Sequence, residues 1–156
     1  MGSDILVYGE YLEGKVHPVT YELLGKGREL AKELGGKVIS VLIGTGAERC
    51  AKELICYGAD EVYVFDYGDS YRPNLLLHKH IVKELIKTLK PLVVLFGATP
   101  WGKSLAPRIA ASLRTGLTAD CIDIYVDEHG DVVQVRPAFA GNVIAHIKTL
   151  TRPVMA

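Results

Sequence analysis

The stretch Leu92-Val-Val-Leu-Phe-Gly-Ala-Thr-Pro-Trp-Gly-Lys-Ser-Leu-Ala-Pro-Arg108 decides how this chain is read. An apolar run, Leu92 to Phe96, ends at Gly97 and leads into a helical pattern. Gly97, Gly102, Lys103 and Ser104 formally satisfy the phosphate-loop spacing G-x-x-x-x-G-K-[ST], in the strand-to-helix context that motif requires. The chemistry argues against it. A phosphate loop aims successive backbone N–H groups at phosphate oxygens. Pro100 has no N–H, and Trp101 sets a large ring beside the phosphate position. Proline is tolerated in a helix's first turn, so Pro107 predicts a helix from about Ser104 to Leu113, with Ser104 as its cap. Enzymes built on that loop also need a later strand ending in a magnesium-binding Asp. Here the helix is followed by what reads as a β-meander.

Outward from this stretch, strand and helix patterns alternate. Ile5 to Tyr8 is a short apolar run closed by Gly9. Pro18 to Leu34 carries Leu23, Gly27, Leu30, Ala31 and Leu34 at helical spacing, and Gly35-Gly36 stops it. Lys37 to Ile43 reads as a buried strand and Glu61 to Phe65 as a further strand, with a short helix, Glu48 to Tyr57, between them. Asn74 to Leu89 is a capped helix with Leu77, Ile81, Leu85 and Leu89 as its stripe. After Arg114 the pattern changes. Leu117 to Val126 and Val132 to Pro137 flank the turn Asp127-Glu-His-Gly-Asp131, and Gly141-Asn142 precedes Val143 to Leu150. The expected fold is α/β: a parallel sheet with helices on both faces, carrying a C-terminal antiparallel meander. The whole of 1–156 reads as a single domain, with no linker and no internal repeat.

Lysine plus arginine equals aspartate plus glutamate at 18 each, which argues against a nucleic-acid or anionic-membrane partner. No apolar run approaches the ~20 residues that span a bilayer. The N-terminal Met-Gly-Ser-Asp is not a signal peptide. The three cysteines, Cys50, Cys56 and Cys121, have no C-x-x-C spacing. They read as reduced thiols of a cytoplasmic protein, packed as small hydrophobes. No two histidines have metal-ligand spacing, and no nucleophile–base pair can be built. Gly44-Thr45-Gly46 lacks the third glycine of the dinucleotide fingerprint and reads as a tight turn.

Read with its downstream neighbours, the opening stretch resembles something specific. Gly97 to Arg108, then Thr115-Gly-Leu-Thr-Ala-Asp-Cys121, then Arg136-Pro-Ala-Phe-Ala-Gly-Asn142, then Thr151-Arg-Pro-Val-Met-Ala156 run in the order seen in the electron transfer flavoprotein alpha subunit. The resemblance covers the chain from about Ile5 onward. It implies the N-terminal domain of that subunit: a nucleotide-α-hydrolase-like, Rossmann-type sandwich that packs against a beta subunit and helps form a platform for the flavin domain. The resemblance places FAD in the full-length protein, in a C-terminal domain beyond this chain. No FAD-binding residue can be carried over, and the chain itself is expected to hold no cofactor or metal. It implies an electron carrier component rather than an enzyme, serving flavin-dependent dehydrogenases through the full complex.

Arg108 and Arg136 carry guanidiniums suited to phosphate or carboxylate, with salt bridges to Asp120 or Asp123 as the structural alternative. Aromatic residues dominate interface hot spots, which makes a partly exposed Trp101 a candidate anchor. The partner-facing set is therefore Trp101, Lys103, Arg108, Arg136 and Asn142. An apolar patch on the meander, made by Val132, Val133, Val135, Phe139 and Val143 and rimmed by Arg136 and Asn142, is expected beside it. The rival reading is a stand-alone, universal-stress-like ATP/AMP-binding module, with its nucleotide near Gly9, Gly44 and Gly97. The meander argues against that rival.

Overall fold

The computed structural model describes residues 2–68 and 73–156. The chain runs β1 (Ile5–Gly9), β2 (Tyr11–Leu12), β3 (Lys15–Val16), α1 (Val19–Leu34), β4 (Val38–Ile43), a 3-10 turn (Ala47–Cys50), α2 (Ala51–Cys56), β5 (Glu61–Phe65), α3 (Leu75–Leu89), β6 (Val93–Leu95), α4 (Pro100–Leu113), β7 (Asp123–Val126), β8 (Val132–Ala138), a 3-10 turn (Phe139–Gly141), β9 (Val143–Lys148) and β10 (Val154–Met155). The central sheet is parallel, in the order β10-β6-β1-β4-β5. Ile5 lies opposite Val38 on one side and Val93 on the other.

Every residue of β1 and of β4 is buried, as expected of strands covered on both faces. Alternation along β1 splits the core in two. Ile5 and Val7 join Leu24, Leu30 and Ala31 of α1, with Ile124 and Val132 of the meander. Leu6 and Tyr8 join Val82, Leu85 and Ile86 of α3, with Leu105 and Ile109 of α4.

The helix limits follow from local chemistry. Asn74 caps α3 by accepting from the backbone N–H groups of Leu76 and Leu77. Gly35 ends α1 in the left-handed region and returns its N–H to the Ala31 carbonyl. The buried stripe of α3 is His78, Val82, Leu85 and Ile86; Leu77, Ile81 and Leu89 are only half-buried. One position of rotation separates the two stripes, and the aromatic pocket around His78 selects the observed one.

The start of α4 differs from the sequence expectation. It begins at Pro100, capped by the Thr99 hydroxyl on the Gly102 N–H, and Pro107 sits in its interior. Ser104 is not the cap; its hydroxyl bonds back to the Pro100 carbonyl. An interior proline costs about 3 kcal/mol. Here its ring lies on the exposed side, while Leu105, Ala106, Ile109 and Ala110 are buried, and that burial outweighs it.

Two further features were absent from the sequence reading, and one expectation fails. The β2–β3 hairpin follows β1 directly. The C-terminal Val154-Met155 returns to the parallel sheet beside β6. Cys56 is exposed, with Cys50 and Cys121 half-buried, so the packed-thiol expectation fails for Cys56.

Candidate functional site

The glycines of the phosphate-loop pattern are explained by packing. A side chain at Gly97 would meet Val19 Cγ1 at 2.7 Å, and one at Gly102 would collide with the Gly97 carbonyl. Lys103 does not face a phosphate position. Its ammonium is 2.7 Å from the carboxylate of Asp120, and both side chains are exposed. That lysine holds the Asp120 carboxyl below its ordinary range.

The carboxyl ends of β1 and β6 meet where the strand order reverses, the place where such sheets take their ligands. Here part of that crevice is taken by the chain itself. Glu10, 3% exposed, follows β1. Its carboxylate accepts a 2.5 Å hydrogen bond from the Thr99 hydroxyl, and its backbone N–H donates to Thr20 Oγ1. Tyr11 lies against Gly44, where a Cβ would stand 2.7 Å from its ring, and donates its hydroxyl to the Thr45 carbonyl. The sequence carried no motif signal for Glu10.

Between α1 and α4, an apolar groove of about 580 Å³ is lined by Val19, Leu23, Phe96, Ala106, Leu117 and Ile124, among others. The segment from Leu117 to Ile124 forms one wall. Two ion pairs tie it down: Lys103 with Asp120, and Lys26 of α1 with Asp123 at 3.0 Å. Asp120 and Asp123 are thus the acids of the sequence reading, but lysines pair with them rather than arginines.

The meander forms a sheet in the order β7-β8-β9. The expected patch needs correction. Val132, Val133 and Val135 are buried, because β8 is the central strand and both its faces are covered. The apolar surface sits instead at the β8–β9 corner: Phe139 is 81% exposed, and Val143 and Ile144 are 49% each. Among the described residues β9 pairs only with β8, leaving its outer edge free.

The five partner-facing candidates separate. Lys103 pairs with Asp120, and the charge of Arg136 adds to it in holding that carboxyl down. Arg136 is half-buried and makes no ion pair among the described residues; Asn142 is exposed at the corner beside it. Arg108 is exposed and turns its guanidinium to the Ser104 carbonyl of its own helix. Trp101 is two residues from Lys103 and so projects to another side of α4. It is half-buried, its ring edge-on to His78 at 5.1 Å, and its indole N–H bonds Tyr8.

The described residues do not fit FAD. A dinucleotide needs free donors for its pyrophosphate. Lys26 and Lys103 are each committed to a carboxylate, and the crevice at the switch point already holds one. Among the described residues no group of histidines, cysteines and acids is placed to hold a metal ion. No helix is long and apolar enough to cross a membrane among those residues.

These features define an α/β sandwich with an added antiparallel sheet. The chain belongs to the electron transfer flavoprotein domain family, whose model matches residues 5–156. It is 46% identical over 146 residues to an electron transfer flavoprotein subunit alpha of Thermoanaerobacterium thermosaccharolyticum, covering 94% of this chain and 44% of that one. It is 47% identical over 150 residues to the lactate dehydrogenase (NAD(+),ferredoxin) subunit LctC of Acetobacterium woodii, covering 96% of this chain and 36% of that one. Protein FixB of Bradyrhizobium diazoefficiens is 40% identical, with 97% of this chain and 42% of that one covered. The chain therefore spans less than half the length of these relatives. The resemblance to the alpha subunit holds, and the stand-alone ATP/AMP-binding reading has no support.

Proposed function

We propose that this chain is the N-terminal domain of an electron transfer flavoprotein alpha subunit, and that it acts as a rigid scaffold for heterodimer formation and flavin-domain docking. The full protein accepts electrons from dehydrogenases and passes them on through FAD held by another domain. This domain is an electron carrier component with no catalytic site of its own, in a cytoplasmic complex. Its partner is a beta subunit.

The observation that carries this reading is the corner at Phe139, Val143 and Ile144, beside the guanidinium of Arg136, which makes no ion pair among the described residues. An aromatic and two aliphatic side chains next to an arginine have the composition of an interface centre. Lys103 and Asn142, both exposed, are assigned to the same interface. Electron transfer depends on how cofactors are held, and a domain cored on both sheet faces suits that task. Co-expression of the full-length alpha chain with its cognate beta subunit tests the reading. A stable complex, weakened by Arg136→Glu, supports it. Absence of any complex overturns it.

A further inference from the structure

The switch-point crevice contains a group of this chain's own that has the chemistry of a ligand. Both α1 and α4 begin there, so their N-terminal N–H groups and the positive ends of their dipoles point toward it. In that field stands one buried carboxylate, Glu10, 3% exposed. Thr99 serves two partners: its hydroxyl oxygen accepts from the Gly102 N–H at 3.0 Å, so its proton goes to Glu10 Oε2. The carboxylate is therefore bonded, through the N-cap side chain, to the first turn of α4. Glu10 is fixed from behind as well. Its N–H donates to Thr20, and its carbonyl accepts from the His17 N–H at 2.8 Å. Apolar groups stand on either side, Tyr11 against Gly44 and Val19 against Gly97, the latter two also lining the groove between α1 and α4.

We propose that Glu10 is a built-in anion. Its carboxylate occupies the position that a phosphate takes in this fold, and the hairpin that begins at Tyr11 closes the rest of the crevice. The domain keeps the nucleotide-binding architecture but fills it with its own chain. Nucleoside phosphates are excluded by charge and by volume, and the entry turn of α4 is held without a ligand. Removing the carboxylate while keeping the backbone opens an anion position at that turn.

The experiment compares the wild-type chain with Glu10→Ala and Glu10→Ser, the latter keeping a hydroxyl toward Thr99. Inorganic phosphate and AMP are titrated by calorimetry at fixed ionic strength, and melting temperatures are recorded in phosphate and in chloride. The wild type is expected to show no saturable binding. A variant is expected to bind phosphate saturably, the helix N-termini supplying the attraction, and to melt higher in phosphate than in chloride. AMP binding in addition shows that Glu10 was the sole barrier; phosphate binding without AMP assigns the remainder to Tyr11. The proposal is overturned if the wild type binds AMP as well as the variants do. It is also overturned if phosphate neither binds nor stabilises either variant, including a variant that melts below room temperature in chloride. The readout involves no partner subunit.

Discussion

The indole N–H of Trp101 donates a 2.8 Å hydrogen bond to the hydroxyl of Tyr8, near the carboxyl end of β1. Indole nitrogen can only donate, so the Tyr8 proton goes to its second partner, His78 Nδ1, at 2.7 Å. His78 is then the Nε2–H tautomer, and that N–H is buried with no partner among the described residues. The chain Trp101 to Tyr8 to His78 fastens the first turn of α4 to β1 and α3. It places Trp101 as a half-buried brace rather than a free anchor.

His78 makes stability depend on pH. Burial pushes its imidazole down to about 4. The unfolded histidine titrates near 6.5, so between these values the unfolded chain binds more protons and stability rises with pH. The contribution is fully present above about pH 6.5 and is lost as pH falls toward 4, in total about 3 kcal/mol. Urea unfolding at pH 7.5 and 4.5 should show this loss in the wild type. In His78→Phe the difference should shrink; an unchanged difference would assign it to the carboxylates.

Tyr8→Phe removes the middle of the chain and strands both the Trp101 N–H and His78 Nδ1. Each loss of a buried partner costs about 1–3 kcal/mol. Destabilisation near 3 kcal/mol is expected, with altered Trp101 emission and stronger quenching by iodide than the partial quenching of the wild type. Unaltered emission would contradict the bond.

Gln134, fully buried on β8, joins the two sheets. Its Nε2 donates to the Met155 carbonyl at 2.7 Å and its Oε1 accepts from Thr149 Oγ1 at 2.7 Å. Gln134→Leu keeps the bulk and deletes both bonds. Because Met155 retains the Thr118 N–H as a donor, the expected loss is about 2 kcal/mol rather than more. Denaturant midpoints measure it.

Lys103→Ala separates the phosphate-loop reading from the structural one. An exposed ion pair contributes at most about 1 kcal/mol, so the variant should melt close to the wild type, and neither should bind ATP in calorimetry. An ATP affinity abolished by this substitution would restore the loop.

Phe139→Asp probes the interface. Phe139 touches little of its own domain at 81% exposure, so stability should change by no more than about 0.5 kcal/mol. Affinity for the beta subunit should fall by about 2 kcal/mol, roughly thirtyfold. Surface plasmon resonance with the full-length alpha chain separates the two effects.

Local signals were legible where one short segment carries its own instruction. Glu61–Phe65 is a bounded apolar strand, Asn74 a cap with two donors in reach, and Gly35 a left-handed stop. The alternation of such segments determined the parallel sheet and both helical layers, and four ordered blocks determined the family. Tertiary structure decided the rest, because those choices depend on partners far away in sequence. Val154-Met155 is too short to announce a strand and becomes one only by pairing with β6. Pro107 is kept inside α4 by the burial of its neighbours, and Val132, Val133 and Val135 are buried only once both faces of β8 are packed. Glu10 is the clearest case. Its charge would be solvated on an isolated strand end, and only the meeting of β1, α1 and α4 makes it an internal ligand.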